Sequence, residues 1–301
     1  MAESWTPILE IGGTHVTAAL IESTHWRVSD IHRRPLDSAA SAPEILNVLA
    51  ETAAQLPARS LAPHAKWGVA IPGPFDYARG IGRFQDVAKF DSLNGIDLGQ
   101  ALAQVLPRRP RSITFINDAS AYLLGEWRAG AAVGTSACAI LTLGTGIGSA
   151  FLRGGSIVDD GPDVPPGAEV HLLTYRDKPL EHWVSRRALR RSYAQAVGRQ
   201  DDELDVRQIA ARARDGDFTA IEVFAEAFRT LGVIVAPWLD RFGAEMLVVG
   251  GSISRAWDLI VGPLSQGIAD GSGGRSTTGR ADLVPAADPD HSPLIGAAPA
   301  S

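Results

Sequence analysis

Residues 140–153 read Ile-Leu-Thr-Leu-Gly-Thr-Gly-Ile-Gly-Ser-Ala-Phe-Leu-Arg. An apolar run leads into a knot of glycines at Gly144, Gly146 and Gly148, and a second apolar run leads out towards Gly154-Gly155. The pattern predicts strand, glycine turn, strand. Such a turn lets backbone N–H groups approach an anion closely, because no Cβ stands in the way. A dinucleotide-binding turn requires G-x-G-x-x-G between a strand and a helix; here the spacing differs and the following residues read as a strand. Residues 8–21, Ile-Leu-Glu-Ile-Gly-Gly-Thr-His-Val-Thr-Ala-Ala-Leu-Ile, repeat the pattern. At an offset of 132 residues (140 minus 8), Ile8 falls on Ile140, Leu9 on Leu141, Gly12 on Gly144, Ala18 on Ala150 and Leu20 on Leu152. Either stretch alone fits an ordinary hairpin. Together they point to a duplicated domain whose halves grip one phosphate chain.

The remaining composition narrows the class. A chain of 301 residues can bury two cores. With 45% hydrophobic and 21% charged residues it reads as an ordinary globular protein. No apolar run approaches the roughly 18 residues of a membrane span, and the first residues lack the basic-then-apolar character of a signal peptide. Cys138 stands alone, so neither a disulfide framework nor a cysteine metal cluster is expected. These features predict a cytoplasmic protein. A net charge of −6 without a basic stripe argues against nucleic acid as a partner.

Working outward, strands are expected at Pro7–Ile11, Val16–Glu22 and around Trp26–Arg33. Ser41-Ala-Pro-Glu44 has capping-box spacing, and Ile45, Leu49, Ala53 and Leu56 continue a helix that Pro57 ends. Trp67–Ile71 reads as a strand breaking at Pro72-Gly73-Pro74. Asp76–Leu98 is irregular and reads as a long functional or disordered loop. A short helix at Gly99–Leu106, a buried strand at Ser112–Ile116 and a helix at Ala119–Arg128 follow. Beyond the second glycine hairpin come a proline-rich loop at Asp159–Pro166 and a mostly helical region from Leu180 to Asp240. There Ile221, Phe224, Phe228, Leu231 and Val235 form a core stripe. Met246–Val249 predicts a buried strand before Gly250-Gly251-Ser252, with a helix from about Ser254. Asp270–Arg280 reads as a mobile surface loop, and Pro293–Ala298 as a helix folding back on the N-terminal half. The sum is an α/β fold of two domains with an interdomain cleft. Ligands in such folds sit beyond the carboxyl ends of strands, where Gly12-Gly13, Gly73, Asn117-Asp118 and Gly250-Gly251 fall.

Asp118 is the strongest candidate for chemistry. At a strand-to-helix junction the helix dipole is expected to keep it ionised, able to take a proton from a substrate hydroxyl; the alternative is an ordinary helix N-cap. Asn117 could bind a sugar hydroxyl or satisfy the turn. Glu169 and His171 could contact a polyhydroxylated ligand or be solvated loop residues, and Glu181 has an ordinary reading as a first-turn helix glutamate.

In this order the motifs resemble the ROK family of sugar kinases and related repressors, within the actin/hexokinase-like ATPase (ribonuclease H-like) fold. Ile11-Gly12-Gly13-Thr14 is similar to its first phosphate motif and Leu143–Gly148 to its second. Asn117-Asp118-Ala119 is similar to its sugar-binding and catalytic-base segment, and Val249–Ser254 to its adenosine motif. Gly167–His171 resembles its sugar-contacting segment, and Glu181 with Ser185 a further paired motif. The resemblance implies Asp118 as general base, with Asn117, Glu169, His171, Glu181 and Gly73 around the sugar. Gly12, Gly13, Thr14, Gly144, Thr145, Gly146, Gly250 and Gly251 would hold ATP, with Mg²⁺ reached through water by Glu10. It implies an N-terminal domain of residues 1–116 joined by a C-terminal segment from about 290 to 301, a second domain of residues 117–289, and a homodimer. The implied reaction is attack of a hexose hydroxyl, O6, on the γ-phosphate of ATP; polyphosphate remains an alternative donor.

Three departures stand out. Glu10 replaces the family's Asp, and its extra methylene moves the carboxylate by roughly 1 Å. Glu169-Val-His171 is one residue shorter than the family pattern and lacks its glycine. This leaves open a sugar other than glucose, such as an amino-hexose like kanosamine, whose ammonium would need Glu169, Glu181 or Asp91. Leu172–Leu180 has no cysteine, so the family's structural zinc site is not expected and His171 is freed from metal duty. A sugar-sensing repressor would carry a helix-turn-helix ahead of the first phosphate strand. About seven residues stand there in this sequence, which favours the kinase. A sugar-binding regulatory protein with little activity is the other alternative, motivated by Glu10.

Overall fold

The computed structural model describes residues 5–87, 89–198, 204–272 and 281–299. The chain divides into two compact units, residues 1–130 with 290–301, and residues 131–289.

In the first unit β1 (Trp5–Ile11), β2 (His15–Glu22), β3 (Arg27–Pro35), β4 (Lys66–Ile71) and β7 (Ser112–Asn117) form one sheet, ordered β3-β2-β1-β4-β7. The β1–β2 and β2–β3 pairs are antiparallel, whereas β4 and β7 add on in parallel. Helices α1 (Ala42–Ala53) and α2 (Leu98–Val105) supply Ile45, Leu49, Leu98 and Leu102 to one face, against Leu9, Ile11, Val16 and Leu20. On the other face α3 (Asp118–Ala129) and α8 (Ser292–Ala297) close over Ile8, Ala19, Ile21 and Ala70. Covered on both faces, β1 and β2 read as nearly unbroken apolar runs, as interior strands do.

The C-terminal helix is fastened to α3 by very close backbone approach. A Cβ on Gly296 would run into the Ala121 carbonyl, and one on Gly125 into that of Ser292. Arg128 Nη1 donates to the carbonyls of Ile295 and Ala298, both at 2.9 Å, and the buried Ser292 hydroxyl donates to Glu126 Oε1 at 2.8 Å. The boundary therefore falls at Gly130 rather than at the expected 116/117, because α3 belongs with α8.

Other expectations need correction. α1 opens with the Glu44 carboxylate accepting from the Ser41 N–H at 2.9 Å, but ends at Ala53, ahead of Pro57. The Asp76–Leu98 stretch is packed rather than loose. It carries a small hairpin, β5 (Phe75–Asp76) with β6 (Ile81–Gly82), and buries Phe84, Phe90 and Leu93. Among the Ser112–Ile116 residues only Phe115 is buried, because β7 is the sheet's edge.

The second unit repeats the plan. β8 (Ala137–Leu143), β9 (Ile147–Arg153), β10 (Ser156–Ile157), β13 (Met246–Gly250) and β14 (Asp282–Pro285) are ordered β10-β9-β8-β13-β14, with the same sequence of antiparallel and parallel pairings. β1 and β8 correspond at an offset of 132 residues, as expected. Beyond the turns the offset changes. Ile11 pairs with Val16 across four turn residues, whereas Leu143 pairs with Ile147 across three. The second strands therefore correspond at 131, and Ala18 matches Ser149, not Ala150. A one-residue slip exchanges the faces of a strand. The structural offset is the one that keeps Val16, Ala18 and Leu20 equivalent to Ile147, Ser149 and Phe151.

Between β10 and β13 lie a two-residue-loop hairpin, β11 (Thr174–Tyr175) with β12 (Lys178–Pro179), and helices α4 (Arg186–Ala196), α5 (Val206–Arg214) and α6 (Phe218–Phe242). Phe224, Phe228, Leu231 and Val235 of α6 are buried as expected, but Ile221 is 38% exposed; the inward stripe begins at Ala220 instead. α7 (Trp257–Gly271) follows a short 3-10 turn at Ile253–Ala256. Of the loop expected at Asp270–Arg280, Asp270 and Gly271 end this helix, and 273–280 lie outside the described residues. Among the described residues no helix is long and apolar enough to cross a membrane.

Candidate active site

Because β1, β4 and β7 run parallel, their carboxyl ends share one edge: Glu10 lies opposite Ala70, and Ile71 opposite Asn117. Gly12-Gly13-Thr14, Gly73 and Asn117-Asp118 therefore emerge side by side. Asn117, not Asp118, caps α3. Its Oδ1 accepts from the N–H groups of Ala119 and Ser120 at 2.9 and 3.1 Å, and its Nδ2 donates to Tyr77 Oη at 3.0 Å. Tyr77 in turn donates to the Ile71 carbonyl at 3.2 Å. With its oxygen occupied by the cap, Asn117 presents its amide N–H groups to Tyr77 and Asp118.

That cap leaves Asp118 free. It is the first residue of α3, exposed, with Oδ1 accepting from the Ala119 N–H at 2.9 Å and the Asn117 side chain adding a weaker hydrogen bond. Its pKa is raised rather than lowered: desolvation outweighs the Ala119 N–H and the charge of Lys89, both of which pull it down. Water reaching the carboxyl screens part of that push. The helix terminus acts in the expected direction but does not win. A carboxylate with a raised pKa is a stronger base when ionised.

Glu10 shares this edge. Burial raises its pKa, helped by repulsion from Asp118 and Asp290, against a hydrogen bond from Thr17 and the charge of Arg33. His15 Nε2 stands 3.9 Å from Glu10 Oε2, and desolvation and Arg33 push the imidazole pKa down. Carboxylates crowded until they repel one another suit a hard cation. No three His, Cys, Asp or Glu side chains among the described residues are close enough to cage a metal directly. The donor set thus matches Mg²⁺, which keeps its waters and takes one or two carboxylates together with substrate phosphates. A Cβ built on Gly13 would meet nothing within 4 Å, leaving the turn open to a ligand.

In the second unit Gly250 lies opposite Thr142, so the ends of β13 and β8 share an edge. Gly251 has φ +87° and no room for a Cβ against the Leu143 backbone; only glycine brings these turns together. The Gly144 N–H donates to the Gly146 carbonyl at 3.0 Å, and Thr145 projects to solvent between them. Glu181 lies on this turn. Its Oε1 accepts from the Ile147 N–H at 3.2 Å and fills the space a Cβ on Gly146 would take. Arg186 completes the cluster: its N–H donates to the Gly144 carbonyl at 2.9 Å and its Nη2 to Ser252 Oγ at 3.0 Å.

Glu169 and His171 flank the fully buried Val170. Ser149 of β9 anchors their segment, donating to the Ala168 carbonyl at 2.5 Å and accepting from the Val170 N–H at 2.9 Å. Glu169 is exposed, and neither its carboxylate nor the His171 ring has a hydrogen-bond partner among the described residues. Where cysteines would have stood, the β11–β12 hairpin is held by Trp183, whose Nε1 donates to the Tyr175 carbonyl at 3.0 Å with the rings edge-on at 5.4 Å.

Tyr77 and Arg186 are the site residues the sequence did not single out. Tyr77 sits in the irregular stretch after β4, and Arg186 resembles any solvated helix arginine.

Two glycine-turned α/β units of equal topology define an actin-like ATPase fold. The ROK family's sequence model matches residues 8–163 and 176–300, and the chain belongs to the ROK family. It is 27% identical over 283 residues to a glucokinase of Thermotoga maritima, covering 87% of this chain and 86% of that one. In structure it resembles a ROK family glucokinase from Streptomyces griseus solved with glucose and AMPPNP, with TM-score 0.78, 23% identity and 98% of both chains covered. It also resembles a ROK family transcriptional regulator, a homolog of the E. coli MLC protein, with TM-score 0.80 and 20% identity over 98% of this chain and 77% of the other.

Proposed function

We propose that the protein is an ATP-dependent hexose kinase that phosphorylates O6 of glucose or a glucose-like sugar. The observation that carries this reading is the division of labour at the α3 terminus. Asn117 takes the cap, so Asp118, its pKa raised, is left to accept a proton from a hydroxyl. The Asn117 amide, beside Asp118, takes part in sugar binding, and Glu169 and His171 supply unpartnered polar groups to sugar hydroxyls. Glu181 secures the Gly144–Gly146 turn, whose N–H groups with Gly250-Gly251 suit donor phosphate in the second unit; in the first unit the open turn of Gly12, Gly13 and Thr14 suits phosphate likewise. Mg²⁺, when bound with ATP near Glu10, neutralises phosphate charge. Positioning and charge neutralisation supply most of the acceleration in phosphoryl transfer, so the base need not be strong.

The exposed Glu169 carboxylate, in a segment shorter than the family's, supports an amino-hexose such as kanosamine as a variant acceptor. Glu10 in place of Asp motivates the second reading, a sugar-binding regulator with little turnover.

Coupled-assay turnover with ATP or polyphosphate, Mg²⁺ and a hexose panel including 2-amino and 3-amino sugars is the test. Turnover of one sugar that Asp118→Ala abolishes is expected. Clear sugar binding without turnover on any member would overturn the kinase reading in favour of the regulator.

A further inference from the structure

We infer that Arg186 binds the polyphosphate of the donor, as the cationic group at the second unit's two glycine turns. The inference rests on the kinase reading only for which donor is bound; the ligand chemistry follows from the site itself.

Arg186 is the first residue of α4, an 11-residue helix capped by Ser185, whose buried hydroxyl accepts from the Ala188 N–H at 3.1 Å. Its backbone and side chain do different things. The N–H donates to the Gly144 carbonyl, fixing the start of α4 on the β8–β9 turn. The guanidinium reaches Ser252 Oγ, next to Gly250-Gly251, and that hydroxyl lies 3.7 Å from where a Cβ on Gly144 would stand. One residue thus spans both turns. The backbone contact survives any replacement except proline, so the position does not need arginine for the fold.

The charge is otherwise unexplained. Arg186 is exposed, and among the described residues its guanidinium has no carboxylate partner. A guanidinium carries five donors, and the serine hydroxyl uses one. The first turn of α4 holds Arg186 and Arg187 and no acidic residue, although a helix amino end favours negative charge. Folding alone would select against this arrangement. A planar donor fork beside two side-chain-free turns fits phosphate oxygens, which arginine takes in bidentate fashion.

The experiment measures binding of Mg-AMPPNP and of medium-chain inorganic polyphosphate by calorimetry, alongside KM for ATP and sugar, in wild type, Arg186→Ala and Arg186→Lys at low and high salt. Arg186→Ala is expected to weaken the bound donor roughly tenfold, in keeping with a hydrogen bond to a charged group, with sugar KM and thermal midpoint unchanged. Its donor binding should depend less on salt than the wild type's, and Arg186→Lys should recover part of the loss. Unchanged donor binding in Arg186→Ala, or an equal loss of donor and sugar affinity with a lowered midpoint, would overturn the inference while leaving the kinase reading of the wild type standing. A wild type that binds donor but phosphorylates no sugar would end the kinase reading and keep the inference, provided Arg186→Ala still loses affinity. A wild type that binds neither probe overturns it.

Discussion

Asp118→Asn retains shape and the capacity to accept the Ala119 N–H while removing the only group at the α3 terminus free to take a proton. If Asp118 is the base, kcat should fall about 10²- to 10⁴-fold, or roughly 2.7–5.5 kcal/mol of barrier at 1.36 kcal/mol per decade. Stability should move the other way. The Asp118 pKa is raised on folding, so its favourable contribution belongs to the neutral form, is complete below the unfolded pKa, and fades as pH rises through the folded value. At neutral pH the ionised group costs stability, and the asparagine removes that cost. Solvent screening at this exposed side chain keeps the gain small. The neighbouring change, Asn117→Ala, should do the reverse. It strips two N–H groups of their cap, worth about 1–2 kcal/mol, and deprives Tyr77 of a hydrogen bond, about 1 kcal/mol more. Urea unfolding and a coupled assay on both variants, with sugar binding measured separately, read the two effects independently. The wild-type acid limb of kcat/KM should be centred above 3.8, the ordinary value for an aspartate. The reasoning fails if Asp118→Asn keeps turnover within tenfold of wild type, or unfolds as readily as Asn117→Ala.

Two further outcomes follow from the same geometry. Glu10 also has a raised pKa, from burial and repulsion by Asp118 and Asp290; Glu10→Gln should therefore raise the thermal midpoint at about pH 8 and leave it unchanged near pH 4, below both the folded and unfolded pKa. A lower midpoint at high pH would show that the carboxylates are not in conflict. Gly296→Ala should cost ~3 kcal/mol in urea unfolding, since its Cβ would enter the Ala121 carbonyl, whereas Gly13→Ala, whose Cβ meets nothing, should stay within ~0.5 kcal/mol; equal costs would contradict the packing of α8 on α3.

What was legible in the sequence depended on backbone chemistry. Glycines between apolar runs predict turns whose geometry few other residues tolerate, so the duplicated hairpins and Gly250-Gly251 could be read directly. The one-residue difference between the two turns could not, because the residues flanking both turns are apolar in either register. Asn117 and Asp118 are both good capping residues, and only coordinates separate the cap from the free carboxylate. The helix dipole at Asp118 is visible in the sequence, whereas the burial that raises its pKa is visible only in the structure. Ile221 carries the right spacing for the α6 core stripe, yet a helix turns 100° per residue and the true face is centred on its neighbours Ala220 and Phe224. Arg186 was illegible for a related reason: its significance comes from Gly144 and Ser252, which lie 42 and 66 residues away in sequence.

The two copies of the hairpin have diverged electrostatically as well as in length. The first turn is bordered by Glu10, Asp118 and Asp290; burial raises the Glu10 pKa, and repulsion from the other two carboxylates adds to it. The second is bordered by the Arg186 guanidinium, with the Glu181 carboxylate tied down by the Ile147 N–H. A bare polyanion suits the second environment and is repelled by the first. The first environment by itself calls for positive charge before a phosphate can approach, which the Mg²⁺ of a chelated nucleoside triphosphate supplies on the kinase reading. Donor binding should therefore depend on Mg²⁺ far more steeply in wild type than in Glu10→Gln, in which part of the repulsion is gone. If Mg²⁺ dependence were instead identical in the two, the carboxylate cluster would have no part in receiving the cation, and the first turn would be a structural remnant of the duplication.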